Sequence, residues 1–295
     1  MANYSIHVLE YAAVPEYHVS GVIYGYHNQG YRKLPYAYAL IRSKDHVALV
    51  DVGYNHKDYG KHLADKFGVR NWHSPHDVLS EVGLTPEDVD TVFVTHAHFD
   101  HFGSVEDFPN ATFYIQEREL AKWIWAMSLP DRMRWMMVAV DPGDILRGVD
   151  LARQGRLVTV DGDMQDVIPG VDLHAAHDSH TFGSMWVTVR NDGTTPSQDT
   201  WVLAGDLIYV YENIEGDGGA VGVDKVYTPT GLATGSQTNL VLATEEIMKQ
   251  VDYDKRRVIP VHEERLKDDF PSRNTSADLR ISEICVADGA ESQVT

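Results

Sequence analysis

The sequence predicts an α+β protein in which two β-sheets pack together with helices on the outside. Two observations carry this. Short Val/Ile/Tyr-rich runs give way to helical patterns in the first half of the 295-residue chain, and the same order returns in the second half. Metal-ligand residue types, moreover, stand at the ends of several of these runs, as they would on the rim of a sheet sandwich.

Taken in order, residues 5–9, 20–26, 36–43 and 46–52 read as strands bounded by Gly, Pro, Asn or Lys-Asp turn signals. The last two flank Ser43-Lys44-Asp45 as a hairpin, which Asp51-Val52-Gly53 closes. Stretches 57–67 and 76–83 carry helical patterns, and Thr85-Pro86-Glu87-Asp88 turns the chain into the apolar run 91–94. That run is β-branched and aromatic and reads as a short buried strand. The stretch Thr95-His96-Ala97-His98-Phe99-Asp100-His101 then falls in the loop at its C-terminal end, where ligands gather in layered α/β folds.

Residues 111–116 read as another strand. From 117 to 140 the pattern is helical, broken at Pro130, and crowded with Trp123, Trp125, Met127, Met133, Trp135, Met136 and Met137. Such a segment suits a buried helix pair or an oligomer face. It equally suits an aromatic, adaptable wall over a ligand site. Strands return at 157–160, 171–174, 184–190 and 201–204, with Asn191-Asp192-Gly193 turning between the last two. Residues 216–235, rich in Gly and Thr, read as a long loop over one face. A helix at 240–251 and a final strand at 257–261 follow. One domain over 1–285 is expected, with a flexible polar tail at 286–295.

The charge balance, 44 acidic against 25 basic side chains for a net −19, argues against a nucleic-acid partner, because that affinity rests on Lys and Arg at phosphates. A single cysteine, Cys285, excludes an intrachain disulfide and a cysteine-built zinc site, and suits a reducing compartment. No secretory h-region opens the sequence and no run of about 18 apolar residues occurs, so a cytoplasmic protein without a membrane span is expected.

Imidazole and carboxylate donors suit Zn²⁺ and its first-row neighbours. His96 and His98, two residues apart, can turn toward one cation, whereas the adjacent Asp100 and His101 point apart and can serve a second. One loop does not close two metal shells. Further donors stand at His180 before the run 185–189, at Asp206 after the run 201–204, and at His262 at the end of the run 257–261. His174 and His177 compete with His180 for the same role.

With these residues assembled, the chain resembles the metallo-β-lactamase-fold hydrolases, through Asp51-Val52-Gly53, His96-x-His98-x-Asp100-His101, His180 in an H-T-x-G-S context, Gly205-Asp206 and His262. The resemblance spans about residues 20–265 and implies a four-layer αββα sandwich of two mixed β-sheets flanked by helices. It implies two divalent metal ions, zinc first, with manganese, iron or cobalt as alternatives. His96, His98 and His180 would hold one ion and Asp100, His101 and His262 the other, with Asp206 bridging and Asp51 supporting from behind. The family often reads T-P-G-H-T-P-G-H where this chain has His177-Asp178-Ser179-His180-Thr181-Phe182-Gly183-Ser184. His180 fits best because its continuation matches.

Within the fold, the closest likeness is to N-acyl-homoserine-lactone lactonases and their pyridoxolactone-cleaving relatives. Tyr209 lies three residues after Asp206, where those lactonases place a carbonyl-binding tyrosine. That likeness implies a hydroxide shared by two metals, a lactone or ester carbonyl polarised by Tyr209, and Asp100 as general acid. The substrate would be a small molecule, an acyl-homoserine lactone or an aromatic lactone. An activated aryl ester or ether is the alternative, and Trp123, Trp125, Met127 and Trp135 would form the substrate wall. The same segment could also serve as a homo-oligomer face. A redox diiron protein of this fold generally has glutamate in place of His98, and a non-catalytic homologue would lack ligands that are all present here.

Overall fold

The computed structural model describes residues 2–216 and 226–294, so positions 217–225 of the expected loop lie outside the described residues. Among the described residues eight strands form one sheet and five the other, and both sheets mix parallel with antiparallel pairs. This is the expected fold class.

Strand β1 (Ser5–His18) runs well past residue 9 and pairs antiparallel with β2 (Tyr31–Arg42). Its register shifts between Glu10 and Ala12 and again between Val14 and Tyr17, which bends the strand. The strand expected at 20–26 is instead one helical turn, α1 (Val19–Val22), whose Ser20 N–H donates to His18 Nδ1. A short apolar run does not by itself separate strand from helix, and here the local cap decides.

Strand β3 (Val47–Val50) closes the hairpin with β2, then pairs parallel with β4 (Thr91–Phe93). Strands β5 (Thr112–Gln116) and β6 (Leu157–Val160) continue the parallel set. Parallel neighbours need crossovers, and here these carry α2 (Asp58–Phe67), α3 (Pro75–Ser80), α4 (Phe99–Phe102), α5 (Glu117–Met127) and α6 (Pro142–Arg153). Helix α6 lies outside the helices read from the sequence, although Asp141 caps it and Pro142 opens it, a legible start signal. The helical pattern from 117 ends at Met127, and 131–137 forms a 3₁₀ helix after Pro130.

The second sheet runs β7 (Met164–Ile168), β8 (Val171–His177), β9 (Gly183–Arg190), β10 (Thr200–Leu203) and β11 (Val258–Ile259). Helices α7 (Glu212–Glu215) and α8 (Gln237–Gln250) lie between β10 and β11 in the chain. Strand β11 is not the last. After α9 (Leu266–Asp269) come β12 (Ser272–Asn274) and β13 (Arg280–Cys285), and β13 pairs with β1 in the first sheet. Its pattern hid it: Arg280 and Glu283 are buried there among Ile281 and Ile284, so charge does not mark a solvent face. The tail donates twice to Glu283, from Ser292 Oγ at 2.9 Å and Gln293 N at 2.8 Å.

Side-chain alternation along β1 feeds two cores. Ile6 and Val8 join Val187 and Val202 between the sheets, while Leu9 and Tyr11 join Phe99, Phe102 and Trp123 under the helices. Among the described residues no helix is long and apolar enough to cross a membrane. The loops after β3, β4, β8, β10 and β11 all supply groups to the rim described next.

Candidate metal centre

The rim begins at Asp51, just past β3, in a left-handed conformation (φ 66°) that aspartate tolerates better than most residues. Its carboxylate accepts from Thr95 N and Thr95 Oγ1, both at 2.8 Å, and from His101 Nδ1 at 2.7 Å. That last bond fixes the His101 ring so that Nε2 faces inward. Helix α4 is a single turn after His98, and it sets Asp100 and His101 on the same short coil. Across the rim, Gly205 (φ 53°) brings the Asp206 loop against Thr95, where a Cβ would sit 2.8 Å from the threonine side chain.

Two buried groups of metal-ligand atoms result. One comprises His96, His98, His180 and Asp206, the other Asp100, His101 and His262. Asp206 sits between them. Its Oδ2 lies 3.3 Å from His180 Nε2 and 3.5 Å from His96 Nε2. Its Oδ1 lies 3.1 Å from His262 Nε2 and 3.2 Å from His101 Nε2. His98 Nδ1 faces His180 Nε2 at 3.1 Å. His96 Nε2 and His101 Nε2 are buried with no hydrogen-bond partner, a costly arrangement for isolated imidazoles and the normal one for ligands of a cation. All-N/O donors in two adjoining sets fit a pair of divalent first-row ions.

Burial holds His96 and His98 well below the usual imidazole range, which keeps them in the neutral, ligating form. Burial also pushes the Asp100 carboxyl up, with the Asp206 charge adding to it. Tyr209 is raised well above the ordinary phenol value, first by burial and then by Asp206, so its hydroxyl remains a donor.

The competing histidines lie elsewhere. His174 stacks on Trp186 at 5.0 Å on β8, and His177 Nε2 meets Gln116 Oε1 at 3.1 Å. Tyr209 stands at the centre, its ring 4.9 Å from His262 and 5.7 Å from His180. A cavity of about 20 Å³, room for one water, opens onto His98, Asp100, Asp206, Tyr209 and His262. Tyr17, Leu34, Tyr36, Phe67, Phe99, Ala139 and Leu232 complete its walls.

None of the four residues expected as a substrate wall lines this cavity. Trp123 is fully buried behind His98, its indole N–H donating to Glu119 at 2.7 Å. Trp125 and Trp135 face outward, 45% and 64% exposed, and Met127 packs on the core. The apolar lining comes from Tyr17 on β1, Leu34 and Tyr36 on β2, Phe67 on α2, Phe99 on α4, and Ala139 and Leu232 in loops.

Sequence reading also passed over two supports. Pro35 O lies 2.6 Å from His262 Nδ1 and turns that ring, a backbone contact that no side-chain pattern announces. Glu119, fully buried on α5, is the other. An acid beside Leu120 and Trp123 on the buried helix face is the signal that could have found it.

A model of the Metallo-beta-lactamase superfamily matches residues 32–262, and the chain belongs to that superfamily. Among named relatives, the N-acyl homoserine lactonase AiiB of Agrobacterium fabrum (strain C58) is 26% identical over 189 residues, 61% of this chain and 65% of that protein. The match thus spans just under two thirds of that relative's length. A probable metal-dependent hydrolase from Staphylococcus aureus superposes with a TM-score of 0.63 at 19% identity, over 90% of this chain and 91% of that one. An N-acyl homoserine lactone hydrolase, solved with the product N-hexanoyl-L-homoserine bound at its catalytic metal centre, gives 0.62 at 18%, over 91% and 97%. At these identities the structural likeness establishes the fold.

Proposed function

We propose that this protein is a metal-dependent hydrolase that opens a lactone or a similar carboxylic ester. The observation that carries the reading is Asp206, whose two oxygens each face a different set of imidazoles at 3.1 to 3.5 Å. His96, His98 and His180 would hold one divalent ion and Asp100, His101 and His262 the other, with Asp206 shared. When bound, such a pair, zinc first, supplies Lewis acidity toward water and toward a carbonyl oxygen.

The chain's own groups do the rest. Tyr209, protonated and inside the cavity, donates its hydroxyl to the carbonyl oxygen as negative charge develops there. Asp100, also on the cavity wall, takes the proton released by water and returns it to the leaving alkoxide. Asp51 holds His101 in one tautomer. Leu34, Phe67, Phe99 and Leu232 line that cavity and exclude bulk water from it.

The relatives named for N-acyl homoserine lactones support a lactone of that class. The aromatic lining from Tyr17, Tyr36, Phe67 and Phe99 favours a ring-bearing lactone or aryl ester as the second reading. Zinc-loaded protein assayed on a homoserine-lactone panel beside an aryl-ester panel separates the two. Metal-dependent turnover on either panel is expected, and turnover on neither, with two ions bound, defeats the proposal.

A further inference from the structure

The carboxylate of Glu119 lies outside both ligand sets, yet it ties together the loops that carry one of them. Its Oε1 accepts from Ala97 N at 2.9 Å and from Trp123 Nε1 at 2.7 Å. Its Oε2 accepts from Gly183 N at 2.6 Å and from Thr181 Oγ1 at 2.8 Å. Ala97 is the residue between His96 and His98, and Thr181 follows His180. One fully buried side chain therefore clamps the backbones on either side of the three imidazoles that share the first cluster.

Among the described residues, two of these three rings have no hydrogen-bond partner on their outward nitrogen, while Thr234 N and Gly235 N also hold the His180 carbonyl. His98 Nε2 and His180 Nδ1, the ring nitrogens turned away from each other, are buried without partners. Their orientation therefore depends on where the loop backbones lie. Glu119 also occupies the first turn of α5, where a carboxylate complements the helix N-terminus. Strand β9 begins so close to it that a Cβ at Gly183 would run into the Glu119 backbone.

We infer that Glu119 is a positioning residue, which sets the His96–His98 loop and the His180 loop at the separation the first metal site requires. It rests on the metal-centre reading above and adds to it a group that touches neither metal nor substrate. The donor set makes the role specific to a carboxylate. Each oxygen faces a backbone N–H, so a carboxamide in either flip would turn its NH₂ against a donor. Glu119→Gln keeps the shape of the side chain and loses one side of the clamp.

The test is stepwise zinc titration of metal-free protein against a chelating indicator, with His98→Ala marking the first site. In Glu119→Gln that site should bind zinc about 10- to 100-fold more weakly, the usual cost of losing an outer support, while the other keeps wild-type affinity. Wild-type affinity at both sites, or equal weakening of both, overturns the inference, because a merely structural carboxylate would lower thermal stability without choosing between sites. Should Glu119→Gln fail to fold, Trp123→Phe removes one donor and keeps an aromatic ring. A severalfold loss confined to the same site supports the role, and no loss overturns it. Wild-type protein that binds no zinc pair would instead defeat the metal-centre reading itself.

Discussion

The two halves of the candidate centre are held in different ways. In the Asp100–His101–His262 half each imidazole has its own acceptor on Nδ1, Asp51 for His101 and the Pro35 carbonyl for His262. In the His96–His98–His180 half, among the described residues, only His96 has a neighbour on its outward ring nitrogen, Thr95 Oγ1 at 3.0 Å, and the loops are fastened through backbone amides to Glu119. Individually tethered ligands should fail one at a time. Ligands fastened through a shared clamp should fail together.

The largest effect should come from Asp206→Ala, which removes the one group common to both halves. Both zinc ions and all turnover are expected to be lost, as measured by metal analysis of the purified variant, and a variant that retains both ions would erase the division drawn here. Asp51→Ala comes next. It strips the acceptor from His101 and from two Thr95 donors, so second-site zinc affinity should drop roughly 10- to 100-fold with the first site less affected. The buried donors it leaves unpaired should cost about 1–3 kcal/mol each, read as a lowered denaturation midpoint.

Tyr209→Phe probes neither scaffold. Both ions should stay bound while kcat falls roughly 100-fold, as for loss of one oxyanion donor, and loss of metal would mean that the tyrosine is structural. The smallest effect is expected at Ser74, which caps α3 and belongs to neither half. Ser74→Ala should cost about 1 kcal/mol in a denaturant melt and leave zinc affinity untouched.

The same contrast separates what was legible in the sequence from what was not. His96, His98, Asp100 and His101 announced themselves because four ligand residues lie within six positions after a buried strand. His180, Asp206 and His262 followed because each stands next to an apolar run, His180 before one and the other two at the end of one. Asp51 was legible through the turn it makes. Glu119 was not, since a glutamate early in a helix is ordinarily solvated, and only the approach of two distant loops shows what it accepts. The apolar lining of the cavity was not legible either, for a related reason. Tryptophan and methionine content marks a segment as sticky without saying which way it faces, and α5 turns Trp123 into the core and Trp125 outward.

The sequence by itself determined the fold class and the ligand chemistry, because hydrophobic periodicity and donor type are properties of short stretches. Tertiary structure alone decided that β13 returns to lie beside β1, that the bulged β1 carries Tyr17 over the cavity, and that Pro35 and Glu119 orient the ligands. Some of those contacts join residues far apart in the chain, as in the His7–Glu283 pair of β1 and β13, 276 positions apart. Which partners meet over such separations depends on how whole sheets pack, and no local pattern records it.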